Sequence, residues 1–174
     1  MKFTYRTLLF FFFLTLKITS QEYKNTFDFY IENKKSLLGI TIGQSIKTIP
    51  KERLQEFPFH IKDENRTIYY LISPNQERIA LLYSDFNNNE KVGSIVIINN
   101  EVITEDGFKI GTIFNEIITQ IDNDKLQIHI DKKDSSVILS VDHLHYTLDF
   151  FSDTTTISIE KIPLNSKVIS ILIQ

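Results

Sequence analysis

The chain has 174 residues with a formal net charge of −3, and it contains neither cysteine nor tryptophan. The lack of cysteine excludes disulfides, thiolate metal sites and cysteine nucleophiles. Nucleic acid is not an expected partner, because phosphate contacts need clustered lysine and arginine and the sequence has no such cluster.

Residues 1–20 have the three regions of a cleavable secretory signal. Lys2 and Arg6 give a positive start, residues 7–16 form an apolar run, and a polar end precedes Gln21. The apolar run is too short to span a bilayer, which takes about 20 apolar residues. We therefore predict an exported protein, periplasmic or secreted, with no membrane span after cleavage. Removal of the signal leaves 16 basic and 22 acidic residues, so the mature protein is acidic.

A pattern in residues 39–49 recurs 68 positions later, in residues 107–117, with both glycines and the apolar positions matched. We interpret this as the duplication of one unit, with a first repeat over 21–93 and a second over 94–174. Each glycine pair is predicted to form a turn that needs a positive φ or a close approach of the backbone. These turn residues are Gly39, Gly43, Gly107 and Gly111.

A helical segment is predicted after each glycine turn. In the second repeat Thr112 can cap a helix whose apolar residues recur at helical spacing; they are Ile113, Phe114, Ile117, Ile118 and Ile121. In the first repeat Pro50 disfavours a helix at Ile49, so we predict a short turn from Ser45 and a second turn over 51–56, which together make a helix-loop-helix.

The remaining segments are short and rich in β-branched and aromatic residues, with polar turns between them. Because consecutive strands joined by hairpins are antiparallel, the predicted fold class is α+β: two tandem repeats of a helix packed on antiparallel strands, forming one sheet with the helices on one face. Residues 168–173 either match 92–98 through an eight-residue insertion or form an extra closing strand. The predicted strands are 67–73, 78–84, 92–98, 126–130, 136–141, 146–151, 156–160 and 168–173.

At the paired glycine turns, Gly-Ile-Thr-Ile-Gly in 39–43 and Gly-Phe-Lys-Ile-Gly in 107–111, the chain resembles the β-lactamase-inhibitor-protein-like fold. That group includes small exported bacterial proteins, and the composition of this chain also resembles exported proteins of Bacteroidetes. The resemblance covers most of residues 26–174. It implies a helix-loop-helix on an antiparallel sheet and a protein partner in place of a reaction. With no cysteine, the chain departs from the family's lipid-anchored and disulfide-bonded members, and a β-lactamase partner is not implied.

The sequence carries no catalytic signature. Neither glycine turn is followed by the Gly-Lys-Ser/Thr of a phosphate-binding loop. His143 and His145 with Asp142 could bind a metal weakly, but a solvated hairpin turn is the favoured interpretation. His129 is expected opposite Ile138, about 16 Å along the strand from His143, which is too far for one metal. We therefore predict no catalytic residue, no metal site and no cofactor.

Positions that are apolar in both repeats assign the faces of the strands. Tyr69, Leu71, Ala80 and Leu82 match apolar residues of the second repeat and are predicted to face the helices. The opposite face of the first repeat is also apolar, and an exposed patch with tyrosines suits a protein interface. That face carries Ile79 and the five predicted binding residues Ile68, Tyr70, Ile72, Leu81 and Tyr83.

We therefore predict an exported, non-catalytic protein-binding module that binds an unknown protein partner through the exposed sheet face. One alternative is a small periplasmic hydrolase that uses His143 or His145. Another is a structural envelope protein or a homo-oligomer, and the sequence leaves the choice between monomer and homodimer open.

Overall fold

The computed structural model describes residues 29–57 and 66–174. The predicted signal peptide and its cleavage site lie outside the described residues. Within these ranges the chain forms two β-sheets and one short α-helix. The elements in chain order are β1 (Phe29–Glu32), β2 (Ser36–Leu37), β3 (Ile40–Thr41), β4 (Leu54–Glu56), β5 (Ile68–Ile72), β6 (Arg78–Ser84), β7 (Val92–Ile97), β8 (Val102–Thr104), α1 (Phe114–Gln120), β9 (Gln127–Ile130), β10 (Ser136–Val141), β11 (Leu144–Phe151) and β12 (Val168–Ile173).

The large sheet has eight strands in the order β4-β5-β6-β7-β12-β11-β10-β9, and every neighbouring pair is antiparallel. In each half the chain begins at an edge strand, β4 or β9, and proceeds strand by strand to the centre, where β7 pairs with β12. Ile97 lies opposite Ile171 and Ile95 opposite Ile173 in that central pair. The two halves of the chain therefore share one continuous sheet.

The small sheet has the order β3-β2-β1-β8. Its strands β1 and β8 are parallel, with Phe29 opposite Val102, although they are far apart in sequence. Ile31, Leu37 and Val102 of this sheet belong to the same buried cluster as the inward residues of the large sheet. The core thus lies between the two sheets. Burial of each such side chain contributes about 1.5–3 kcal/mol.

The inward face of the large sheet follows from its strand register, because side chains alternate between the two faces. Leu71, Ala80 and Leu82 are fully buried, as are Val137 and Leu139 of the second half. Tyr69, although only partly buried, also packs against the core. The predicted inward residues therefore do face the core, which they share with residues of the small sheet and with Phe114 and Ile117 of α1.

The predicted α+β class is wrong, because the chain is mostly β and its four-stranded and eight-stranded sheets do not form a two-repeat, helix-on-sheet arrangement. The described residues contain a single α-helix, α1, seven residues long. The predicted cap Thr112 does not cap it: the Thr112 hydroxyl accepts a hydrogen bond from the Lys109 backbone N–H inside the turn. Ile113 is extended and bridges Lys167, so α1 begins only at Phe114.

The predicted helix-loop-helix of the first repeat is also absent. Ile46–Thr48 forms a 3₁₀ turn, Ile49 is extended before Pro50, and Lys51–Arg53 forms a second 3₁₀ turn that leads directly into β4. The physical reason is that the residue before proline avoids the helical region, and isoleucine and threonine lose side-chain freedom in a helix. Predicted strand 156–160 is likewise irregular, and a 3₁₀ turn covers Ile159–Lys161.

The two glycine turns make matching backbone hydrogen bonds. The Gly43 N–H donates to the Val92 carbonyl at 2.8 Å, and the Gly111 N–H donates to the Val168 carbonyl at 2.8 Å. The Val92 and Val168 N–H groups return the bond to the residue after each glycine, both at 2.9 Å. The first residue of β12 therefore makes the same backbone hydrogen bonds to the Gly111 turn that the first residue of β7 makes to the Gly43 turn. This favours the alignment of 168–173 with 92–98 through an insertion. A common origin of the halves, and the boundary between 93 and 94, stay predictions.

Lys34 ties the small sheet to the large one. Its Nζ lies 2.9 Å from Asp142 Oδ2, in the turn between β10 and β11, and 3.7 Å from Asp106 Oδ2, which follows β8. The hydrogen bond to Asp142 is the main reason that the pKa of Lys34 is raised. Asp106 Oδ2 is buried and has no hydrogen-bond partner, so Lys34 provides its electrostatic compensation.

The glycine turns generate a first prediction. Gly43 and Gly111 have φ of 84° and 95°, and a Cβ at either would meet nothing within 4 Å. Gly43→Ala and Gly111→Ala should therefore each lower the free energy of unfolding by about 1 kcal/mol through backbone strain alone. Urea unfolding measures this. Asparagine tolerates positive φ, so Gly43→Asn is the matched control and should lose less; an alanine variant as stable as the parent would contradict the prediction.

Lys34→Met should lower the free energy of unfolding by about 1 kcal/mol at neutral pH, because the buried Asp106 oxygen loses its compensating cation. Since the pKa of folded Lys34 is raised, its contribution is complete below its ordinary pKa of 10.5 and is lost as the pH rises past the folded value. Unfolding curves of parent and variant should therefore converge at strongly alkaline pH. A constant difference from pH 7 to pH 12 would contradict this account.

Candidate functional site

The outward face of the large sheet, which we call the open face, carries the five predicted binding residues on β5 and β6. Ile68 and Ile72 are only 6% and 7% exposed, although neither belongs to the main core cluster. Tyr70, Leu81 and Tyr83 are half-buried. The structure therefore brings the five together, with Ile68 opposite Tyr83 and Tyr70 opposite Leu81, but only three of them present surface.

Ile79, also predicted on the open face, is instead fully buried in the core. The strand register explains this difference. The pairing of β5 with β6 shifts between Leu71 and Ile72, so that Ile72 lies opposite Arg78 and Ile79 becomes the extra residue of a bulge. A bulge re-aims side chains near it, and strict alternation in the sequence gives no sign of one.

Two arginines stack on the tyrosines of the open face. The Arg78 guanidinium carbon lies 4.2 Å from the Tyr70 ring centroid, and that of Arg66 lies 5.0 Å from the Tyr83 ring centroid. The Phe57 ring packs on Tyr70 with a centroid distance of 5.2 Å. Cations stacked on aromatic rings in this way orient the rings and place positive charge on the face.

A depression of about 660 Å³ lies on the open face beside Tyr83, where β6, β7 and β12 meet. Its floor is made by side chains of the central strands, including Ser94, Val96 and Leu172. Phe86, in the loop after β6, stands at its rim and is 70% exposed. At this exposure the Phe86 ring buries little apolar surface within the protein, and most of the ring is accessible to a ligand.

Charged side chains of both signs line this depression. Arg66 and Lys133 contribute cations, and Asp85 is the only acidic side chain among the residues that line it. Asp85 Oδ1 accepts hydrogen bonds from the backbone N–H groups of Asn87 and Asn88 at 2.9 and 3.0 Å, which commits the carboxylate to the loop. The depression therefore combines aromatic and aliphatic side chains with polar and charged ones, in a protein that is acidic as a whole.

A second cluster lies on the other half of the open face. His129 Nε2 and His145 Nδ1 each lie 2.6 Å from Ser140 Oγ, and the two imidazole centroids are 6.4 Å apart. Burial lowers the pKa of His145, and the nearby His129 and His143 lower it further. At neutral pH the His145 ring is therefore uncharged.

The position predicted from the sequence for His129 is confirmed, but the grouping of the histidines is different. His129 does lie opposite Ile138, as predicted. His143, however, does not join the cluster, because its Nδ1 is 2.9 Å from the Gln174 carbonyl oxygen. The contact between His129 and His145 was not predicted from the sequence. Ser140 was the residue that could have indicated it, because Ser140 lies opposite His145 and diagonal to His129. Its side chain is small enough for both rings to reach over it.

Two features are absent from the described part of the chain. In residues 29–57 and 66–174 no group of three or more histidine, cysteine, aspartate or glutamate side chains is placed to hold a metal ion. None of the helices in the same ranges has the length and apolar character needed to cross a bilayer.

No family model matches the chain, and no curated protein sequence matches it. Among solved structures, the chain is similar to the uncharacterized protein yfeY from Escherichia coli, with a TM-score of 0.52 and 14% sequence identity. The match covers 81% of this chain and 97% of that one. At this identity the likeness concerns the fold alone. It does not bear on the resemblance to β-lactamase-inhibitor proteins, which stays a prediction.

A second bulge lies at the edge of the depression, where the pairing of β6 with β7 shifts between Tyr83 and Ser84 and leaves Gly93 as the extra residue. Gly93 provides a test of this bulge. A Cβ on Gly93 would lie 2.6 Å from the Asp85 Cα and 2.9 Å from its backbone N, and neither atom can move without shifting the β6–β7 connection. Gly93→Ala should therefore lower the free energy of unfolding by about 2 kcal/mol, in the range of overpacked cores. Ser94→Ala, the neighbouring position, is the matched control for urea unfolding. Equal stability of the two variants would contradict the close approach.

Proposed function

We propose that the protein is an exported, non-catalytic binding protein that docks a protein segment on its open face. The segment would insert an apolar side chain into the depression beside Tyr83 and Phe86. It would also carry a carboxylate near Arg66 and Lys133. The single observation that carries this proposal is the exposed Phe86 at the rim of a depression that Arg66 and Lys133 also line.

Three features support a protein segment as the ligand. A depression of about 660 Å³ lies within the size range of ligand sites. Aromatic residues and arginine are enriched at the centres of protein interfaces. The two cations, Arg66 and Lys133, favour a partner that carries a carboxylate, because complementary charge guides association and fixes orientation.

The hydrolase alternative has one favourable distance, the 2.6 Å between Ser140 Oγ and His145 Nδ1. Two observations oppose a nucleophilic role for this serine. Ser140 is only 5% exposed, and a second imidazole, that of His129, also occupies its hydroxyl. His143, the other residue of that alternative, is engaged with Gln174.

The proposal is tested by selecting a displayed random-peptide library against the protein. Selected peptides should carry an aromatic or aliphatic residue beside Asp or Glu. Phe86→Ser should weaken their binding at least tenfold, because loss of an aromatic anchor typically costs about 2 kcal/mol or more at an interface centre. Lys133→Glu should weaken peptide binding more at low salt than at high salt, because salt screens the attraction between Lys133 and the peptide carboxylate.

Phe151→Ser is the matched control, because Phe151 is another exposed phenylalanine, at the end of β11 and outside the depression. Phe86 is a better probe than Tyr83, whose half-buried ring also serves packing. Peptides that bind the Phe86→Ser variant as tightly as the parent, or a library that yields no acidic-apolar sequences, would reject the proposal. Sedimentation at the same concentrations separates this function from self-association, since a homo-oligomer would bury the face with its own copies.

A further inference from the structure

The His129–Ser140–His145 cluster lies outside the residues that line the depression and serves no role in the proposed binding of a protein segment. It is built on three adjacent strands, β9, β10 and β11. The two imidazole nitrogens both point at one oxygen, so they are no more than about 5 Å apart, the sum of the two 2.6 Å distances. Two nitrogen donors and one oxygen donor therefore converge on one place on an open sheet face.

The hydrogen bonding of this cluster gives its two rings complementary roles. A serine hydroxyl has one hydrogen, so it donates to only one of the two imidazoles, and the other ring turns its own N–H toward the oxygen. One ring therefore presents a lone pair to the hydroxyl, and the other presents an N–H. A cation placed among the three atoms would let both rings present lone pairs.

We propose that His129 and His145, with Ser140 Oγ between them, form a binding site for a divalent transition-metal ion of the Cu²⁺, Ni²⁺ or Zn²⁺ class. Neutral imidazole is a preferred ligand of these ions, whereas Mg²⁺ and Ca²⁺ prefer oxygen ligands. Water completes the coordination from the solvent side.

The geometry requires only a small movement. With metal–nitrogen distances of about 2.0–2.1 Å, two imidazole nitrogens on a tetrahedral ion are about 3.4 Å apart. The rings must therefore close by no more than about 2 Å, and His129 is exposed on the edge strand β9, where its side chain has room to turn. Since three donors are fewer than the four of a structural zinc site, we expect micromolar affinity, with Cu²⁺ bound more tightly than Zn²⁺.

The test is calorimetric titration of the untagged, chelator-treated protein with Zn²⁺ and with Cu²⁺. We expect one site per chain, with binding weakened at least tenfold in His129→Ala and in His145→Ala. His143→Ala is the matched control, because His143 neighbours the cluster without joining it, and His60→Ala controls for the remaining histidine of the sequence. Both controls should keep the parent affinity.

A second readout does not depend on the variants folding. In the parent protein, Zn²⁺ should shift the NMR resonances of His129 Nε2 and His145 Nδ1 while those of His143 stay in place. No heat and no shift at millimolar Zn²⁺ would overturn the proposal. Weak binding that survives the joint replacement of His129 and His145 would mean an adventitious ion only, and would overturn it equally.

Discussion

The antiparallel pairing of β7 with β12 is the constraint on which the rest of the structure depends. It joins the two halves of the chain into one eight-stranded sheet, with Ile95 and Ile97 directed inward against Ile173 and Ile171. On the opposite face of the same pair, Val96 and Leu172 form part of the floor of the depression. One run of alternating residues therefore supplies both the centre of the core and the centre of the candidate binding surface.

The strands of the large sheet were predictable because their residues alternate and are rich in valine, isoleucine and tyrosine. The helices were overestimated. The apolar residues in and beside α1 do recur at helical spacing, at Ile113, Ile117 and Ile121. The helix is nevertheless short, because Ile113 and Ile121 both adopt extended conformations at its ends. The small sheet could not be foreseen, because β2 and β3 have two residues each and the partner of β1 is a parallel strand more than sixty residues away. Long-range pairing of this kind leaves no local pattern.

The candidate sites show the same division between local and long-range information. An apolar outward face on β5 and β6 could be inferred from the sequence, since it follows from residue type and alternation. Phe86, the exposed residue at the rim of the depression, lies in a loop where no periodicity applies, and the bulge that removes Ile79 depends on the register of two strands. The cluster around Ser140 needs three strands to be in register at once, so only the folded sheet brings His129 and His145 together.

The two ends of the large sheet also differ from its middle. Within the described ranges the outermost strands are β4 and β9, with three and four residues, while the inner strands have five to eight. An edge strand exposes a row of unpaired peptide groups that can recruit another chain and begin aggregation. Short edges keep that row brief, and the exposed Glu56 and Gln127 make it polar. Among the described residues, a sheet whose two halves each begin with a short edge strand thus tapers at both margins, which limits its growth into intermolecular β-structure.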